Sequence, residues 1–327
     1  MFIYVDDLVV ASNSTQFLNE IRAIIESEYK CTFLGELSWL LKMEILISKE
    51  KGPLSMNQTK YIGDLLEHYD MSSCNPTFIP MSPTTLDDNQ LPNDWNNPKI
   101  PFRELVGSLQ YLVSCTRPDI AVAVRYLSSK VHDFNIVHWD MALRLLRYLK
   151  ATINFGLVYN GKSLPGNLDT YTDATYATEP DCKSVIGYCS IFGGAAVSWK
   201  STKTETTPQS STDSEYIAAA EGSKEVMWIQ QLLNEMNLPL NTPTTVHIDN
   251  QSAICLAKNP AQHKRTKHIA VKHYLLRELV ERQEIKVVYL NTKEQIADTL
   301  TKCLPKSQFE KHRTNLGVMD VLEITRE

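Results

Sequence analysis

Apolar and polar positions follow different periods along the first part of the chain. The run FIYVDDLVVAS contains two β-branched and aromatic stretches that meet at Asp6-Asp7, which predicts a tight hairpin. Helical spacing follows over residues 16–30 and 61–69, with a strand-like run at 39–48 between them. This opening region is therefore predicted to be α+β.

A connector and a helical region come next. Residues 74–101 are rich in Pro, Asn, Ser, Thr and Asp, a composition that is typical of a linking segment. Beyond it, apolar residues recur at helical spacing over 105–112, 120–127 and 141–149. Arg117-Pro118 separates the first two of these runs. We expect a small helical bundle here.

After a loop near 161–166, three strand-like runs precede an alternation of strands and helices. This order predicts a mixed sheet with helices on its faces. The predicted strands are 168–172, 185–192, 195–200, 245–248 and 285–290, and the predicted helices are 213–236, 251–258, 267–283 and 294–303.

Composition narrows the class of protein. The chain has 327 residues, of which 43% are hydrophobic and 22% charged, values that are ordinary for a folded protein of enzyme size. A net charge of −5 excludes a uniformly basic nucleic-acid binder, so any such contact must be regional. The seven cysteines form no CxxC pairs, and no leader or membrane-length apolar run is evident. We expect an intracellular protein, in the cytoplasm or nucleus.

Four acidic residues stand where predicted elements begin or end. Asp173 and Asp249 end strands, whereas Glu215 and Asp298 lie near the starts of helices. Ligands of open α/β sheets bind at such an edge. Carboxylates brought together there repel unless cations neutralise them, and oxygen ligands favour Mg²⁺ or Mn²⁺. Two such ions can clamp the attacking water and the leaving oxygen of a phosphodiester, so hydrolysis is the implied reaction.

Each acid also has a purely structural explanation. Thr212 and Glu215 match a capping box, the pair Asp249-Asn250 can provide the N-cap of the following helix, and Asp298 can act as a first-turn acid. For any single residue the structural explanation is favoured, whereas the joint pattern favours a metal site. The spacing alone leaves both open.

A longer series of motifs is recognisable: YVDDLVVAS, LGELSWLLKMEI, RELVGSLQYLVSCTRPDIAVAV, YTDATYA, QSSTDSEYIAA, HIDNQSAICLAKNP and EQIADTLTKCLPKSQFE. With these motifs the chain resembles the C-terminal part of the copia-type retrotransposon Pol polyprotein. The resemblance implies an α+β reverse-transcriptase palm remnant over 1–95 and a helical thumb-like region over 96–160. It further implies an α/β ribonuclease H-like fold with a mixed five-stranded sheet over 161–305, and a C-terminal tail over 306–327.

The resemblance also assigns roles. It implies that Asp173, Glu215, Asp249 and Asp298 hold two Mg²⁺ or Mn²⁺ ions and hydrolyse RNA in RNA/DNA hybrids. Asp6 and Asp7 correspond to polymerase metal ligands whose third partner would precede Met1, so we expect a truncated segment with no polymerase activity on its own. Partners would be the hybrid and an upstream reverse-transcriptase segment or integrase.

Basic residues cluster near the third and fourth acids: Lys264, Arg265, Lys267, Lys272 and Arg277. Such a run is commonly a solvated helix face, but here it is a candidate set of phosphate contacts. A hybrid would then be recognised by groove shape and 2′-hydroxyls.

Departures from the family pattern keep rival hypotheses open. Thr175, Tyr176 and Ala270 replace family residues near the acids, Lys42 stands at a usual Gly, and no histidine occurs over 290–297 to serve as a proton shuttle. The main alternative is a catalytically inert, nucleic-acid-binding or decaying retroelement remnant. An integrase-like nuclease is disfavoured because it uses three acids and leaves YVDD unexplained.

Overall fold

The computed structural model describes residues 1–47, 52–82, 100–160, 166–178, 181–238, 240–258 and 270–324. The strands are β1 Phe2–Tyr4, β2 Asp7–Val9, β3 Trp39–Leu40, β4 Met43–Ile47, β5 Leu54–Asn57, β6 Phe155–Tyr159, β7 Asp169–Thr175, β8 Val185–Phe192, β9 Ala195–Lys203, β10 Thr244–Ile248, β11 Ile285–Tyr289 and β12 Val318–Asp320. The helices are α1 Thr15–Glu28, α2 Thr59–His68, α3 Phe102–Cys115, α4 Ala121–Ser129, α5 Ile136–Ala151, α6 Ser211–Glu235, α7 Gln251–Lys258, α8 Ala270–Glu281, α9 Lys306–Asn315 and α10 Val321–Ile324. In this described part, no helix has both the length and the apolar character needed to cross a membrane.

The predicted mixed five-stranded sheet is confirmed. Its strand order is β11-β10-β7-β8-β9. β10 pairs in parallel with both β7 and β11, whereas β7, β8 and β9 form an antiparallel meander. Along β10, Thr244, Val246 and Ile248 are buried in alternation, as the period of a strand requires. The parallel pairing places the carboxyl ends of β7 and β10 at the same edge of the sheet.

Helix α6 approaches this sheet closely. Gly222 permits the approach, because a Cβ at that position would meet Cγ2 of Thr172 at 2.7 Å. The small residues Ala218, Ala219 and Ala220 are likewise buried on this helix. The third and fourth turns of α6 are thereby held close to strand β7.

A second five-stranded sheet was not predicted. Its order is β12-β6-β5-β4-β3, and its pairs are all antiparallel. The expected strand over 39–48 is split into β3 and β4 by a turn at Leu41 and Lys42, both of which have positive φ. Lys42 has φ 59°, which explains physically why Gly suits this position.

The C-terminal segment, expected to be a tail, instead contributes a helix and an edge strand. Phe309 of α9 and Val318 of β12 are buried, and β12 pairs with β6. They join a hydrophobic core that also includes residues of α2, α3, α4 and α5. The helical region and the C-terminal part of the chain therefore share one core.

The amino-terminal elements are much more exposed. β1 pairs with β2 in a separate two-stranded sheet, with Tyr4 opposite Asp7. None of the residues of α1 is buried. The expected hairpin at Asp6-Asp7 is present, and both acids are exposed.

Candidate functional site

Three of the four predicted acids meet at the carboxyl edge of the mixed sheet. Asp173 lies near the end of β7, Asp249 directly follows β10, and Glu215 lies in the second turn of α6. Each offers a carboxylate oxygen, and these three atoms all lie within 4.8 Å of one another. The structure therefore gathers residues that are far apart in the sequence into one small cluster.

Asp298 lies beside this cluster on a short 3₁₀ helix, Ile296–Leu300. Its side chain is 1% exposed and pairs with Lys302, whose Nζ lies 2.9 Å from Oδ1 of Asp298 and 3.7 Å from Oδ2 of Asp173. The lysine thus links Asp298 to the cluster. The helix predicted over 294–303 is replaced by two short 3₁₀ helices, because Gln295 between them is extended.

Other residues, rather than the acids, form the helix caps. Ser210 caps α6 by accepting from the N–H of Asp213, so the Thr212-Glu215 capping box is wrong. The N-cap predicted at Asp249-Asn250 is confirmed at Asn250, whose Oδ1 accepts from the N–H of Ala253 in α7, and this leaves Asp249 outside that role. The capping explanations that the sequence left open for Glu215 and Asp249 therefore fall away.

Polar side chains around the acids fix their positions. The Thr301 hydroxyl donates to Oδ2 of Asp173, and the Thr292 hydroxyl donates to Oδ2 of Asp249 at 2.9 Å. Gln295 is fully buried, and its Nε2 donates to the carbonyl of Thr172 at 2.9 Å. The segment that carries Asp298 is consequently tied to β7 just before Asp173.

Sequence reasoning missed these supporting residues: Thr292, Gln295, Thr301 and Lys302. The available signal was local, since Asp298 and Lys302 are four residues apart, a spacing that favours ion pairs on a helical segment. The contacts of Thr301 and Gln295 are with residues more than a hundred positions away, so no local spacing in the sequence predicts them.

Burial and mutual repulsion raise the pKa values of the acids. Burial, followed by the charges of Asp173 and Asp249, raises the pKa of Glu215 to about 10. Burial and then Asp173 raise the pKa of Asp298 to about 7, and the same causes raise the pKa of Asp249. Carboxylates held together in this way favour a bound cation that compensates their charge.

The donor set fits a hard divalent cation. All the candidate ligands are carboxylate oxygens, which Mg²⁺ and Mn²⁺ prefer. Glu215 is only 6% exposed, and its Oε2 is buried without a hydrogen-bond partner. An orphaned carboxylate oxygen that adjoins two further carboxylates is the arrangement that a metal ion would satisfy.

The other predicted residues are placed differently. Among the described residues, the one group of three side chains able to hold a metal is Asp173, Glu215 and Asp249, so Asp6 and Asp7 join no such group. Arg277 is 6% exposed and its Nε donates to the carbonyl of Leu256, so most of its side chain is covered by the protein. Lys264, Arg265, Lys267 and the side chain of Lys272 lie outside the described residues.

Comparison with known proteins identifies the family. A family model for reverse transcriptase (RNA-dependent DNA polymerase) matches residues 1–83. A Pol polyprotein from transposon TNT 1-94 of Nicotiana tabacum is 34% identical over 97% of this chain and 24% of its own length. One from transposon RE1 of Arabidopsis thaliana is 34% identical over 98% of this chain and 22% of its own. The chain belongs to the copia-type retrotransposon Pol polyproteins. It spans about a quarter of the length of these relatives.

A solved structure also aligns with part of this Pol segment. LC11-RNase H1, a ribonuclease isolated from compost, is 16% identical, with a TM-score of 0.33. The alignment covers 45% of this chain and 97% of that protein.

Proposed function

We propose that the part of the chain around the mixed sheet is a ribonuclease H that hydrolyses the RNA strand of an RNA/DNA hybrid. The observation that carries the proposal is the orphaned, buried Oε2 of Glu215 in a cluster whose other members are Asp173 and Asp249. Membership of the Pol family supplies the substrate class, because these polyproteins include reverse transcriptase and a ribonuclease H part.

Asp173, Glu215 and Asp249 would hold the divalent cations, and Asp298 would complete the set. When bound, the ions supply charge stabilisation at the phosphoryl oxygens and lower the pKa of a water molecule. Thr301 and Thr292 orient Asp173 and Asp249 through their hydroxyls. Such hydrogen bonds to ligating carboxylates fix the direction of their lone pairs, and their loss typically weakens metal binding.

The position of the cluster suits a long, rigid substrate. It lies at the edge of the sheet, with Asp249 partly exposed and Asp173 and Glu215 behind it. Basic residues 264, 265 and 267 follow α7 in the sequence and remain our candidates for phosphate contacts that position a duplex without reading its bases.

The direct test is cleavage of a labelled RNA strand by the purified chain. We expect products from an RNA/DNA hybrid in Mg²⁺ or Mn²⁺, and none from the hybrid in excess chelator. Duplex DNA and single-stranded RNA serve as the comparison substrates. Equal cleavage of single-stranded RNA, or cleavage in chelator, would contradict the proposal, as would a folded chain that is inert in both metals.

A further inference from the structure

Lys302 is an unexpected cation within the acidic cluster. Its Nζ lies 2.9 Å from Oδ1 of Asp298 and 3.7 Å from Oδ2 of Asp173. In the described part of the chain, no other lysine or arginine lies within ion-pair distance of the four acids. A single ammonium group therefore faces four carboxylates.

The ammonium divides the cluster into two unequal sides. On one side, Oε2 of Glu215 has no partner, so a cation can approach without displacing any group. On the other side, Oδ2 of Asp173 already accepts from Thr301 and faces Lys302, which also binds Asp298. An ammonium only a few ångströms away repels a divalent ion at the oxygens of Asp173 and Asp298, so the ion would bind there more tightly if the ammonium moved away.

Lys302 can leave this position without unfolding its segment. Its backbone N–H bonds to the carbonyl of Asp298 at 3.1 Å, which fixes the base of the side chain. The side chain itself is 36% exposed, so rotation about its flexible stem would bring the ammonium into solvent. Displacement therefore requires only a change of side-chain conformation.

We propose that Lys302 is an internal cation that occupies the space between Asp298 and Asp173 and competes with a divalent ion for these two carboxylates. The lysine keeps these two acids in place before metal binds, and it weakens the affinity of that side for metal. The inference rests on the proposed function, since it requires that the four acids bind divalent cations.

Mn²⁺ titration calorimetry without nucleic acid tests the inference on the full chain. Lys302→Met removes the charge and keeps most of the side-chain volume, so we expect Mn²⁺ to bind the weaker class of sites on the order of tenfold more tightly. Without metal, the same variant should have a lower Tm than the wild type. Lys224→Met is the matched control, because Lys224 pairs with Glu221 on α6 outside the site, at 2.8 Å.

Unchanged or weaker Mn²⁺ binding by Lys302→Met would overturn the inference. If that variant does not fold without metal, Lys302→Arg serves instead: it keeps the charge, so its affinity for Mn²⁺ should not exceed that of the wild type. Tighter binding by Lys302→Arg, on the order of tenfold, would equally overturn the inference. Asp173→Asn separates the two proposals. If wild-type binding of Mn²⁺ is absent or unaffected by Asp173→Asn, the metal site itself fails, whereas binding that depends on Asp173 but not on Lys302 refutes the role of the lysine alone.

Discussion

At the residue scale, Glu215 makes the stability of the folded chain depend on pH. The residue is buried beside two carboxylates, and its pKa is raised from 4.5 to about 10. A group whose folded-state pKa is raised keeps a proton that the unfolded chain releases. Its contribution to stability is therefore complete below pH 4.5 and is lost as the pH rises toward 10.

Glu215→Gln tests this linkage in the presence of chelator. Glutamine has no proton to lose, so the free energy of unfolding of the variant should exceed that of the wild type by an amount that grows between pH 5 and pH 8. Chemical denaturation at several pH values measures the difference. If the difference in the free energy of unfolding is constant with pH, or if the variant is less stable at every pH, the pKa of Glu215 is not raised as described.

At the element scale, the 3₁₀ helix that carries Asp298 lies directly on strand β8. Gly187 of β8, which is paired with Asp173 of β7, makes this possible. A Cβ at position 187 would lie 2.7 Å from Cβ of Leu300 and 2.9 Å from Cγ2 of Thr301. Both contacts are too short, so the 3₁₀ helix would have to shift away from the sheet and from Asp173.

Gly187→Ala should therefore lower both the cleavage of the hybrid and the stability of the chain. We expect a loss of about 1–3 kcal/mol from overpacking and a fall in kcat on the order of a hundredfold, because small displacements of catalytic groups are costly. Gly63→Ala on helix α2 is the control, since a Cβ there meets nothing within 4 Å. A Gly187→Ala enzyme with wild-type kcat would show that the 3₁₀ helix does not position the site.

The sequence predicts well those elements whose apolar pattern lies within one run of residues. It predicts poorly those that form by pairing with a distant part of the chain. The runs over 102–151 become helices α3, α4 and α5, since their periodicity lies within each run. Strand β12 has only three residues and pairs with β6, more than a hundred residues earlier, so its pattern is too short to predict a strand. The sequence predicts the acids because each stands at a local boundary, whereas Thr301 and Gln295 act across the fold.

At the scale of the whole molecule, a buried ionic network joins the helical region to helix α9. Arg117 is fully buried, and its Nε and Nη2 donate to the two oxygens of Asp119 at 2.9 and 2.8 Å. The Tyr148 hydroxyl donates to Asp119 at 2.6 Å, and Arg313 of α9 donates to that hydroxyl at 3.4 Å. Despite the opposing effect of burial, Arg117 holds the pKa of Asp119 below its ordinary value.

Asp119→Asn would leave the Arg117 guanidinium buried without a counter-ion. We expect the free energy of unfolding to fall by about 3–5 kcal/mol. Because the pKa of Asp119 is lowered, the wild type should lose the same contribution only as the pH falls below about 4, near the ordinary value for an aspartate. Urea denaturation at pH 7 measures the loss, with the exposed Asp181→Asn as a control that should change little. A similarly small effect for Asp119→Asn would show that the network does not stabilise the shared core.

The most direct test of the central claim compares two aspartates on strand β7 in the hybrid-cleavage assay. Asp173 is 2% exposed within the cluster, whereas Asp169, four residues earlier, pairs with His247 outside it at 3.0 Å. In Mg²⁺ or Mn²⁺, Asp173→Asn should reduce the rate of RNA cleavage by at least a hundredfold, in keeping with loss of a metal ligand, and Asp169→Asn should leave it nearly unchanged. Cleavage that survives Asp173→Asn in a folded chain would contradict the account.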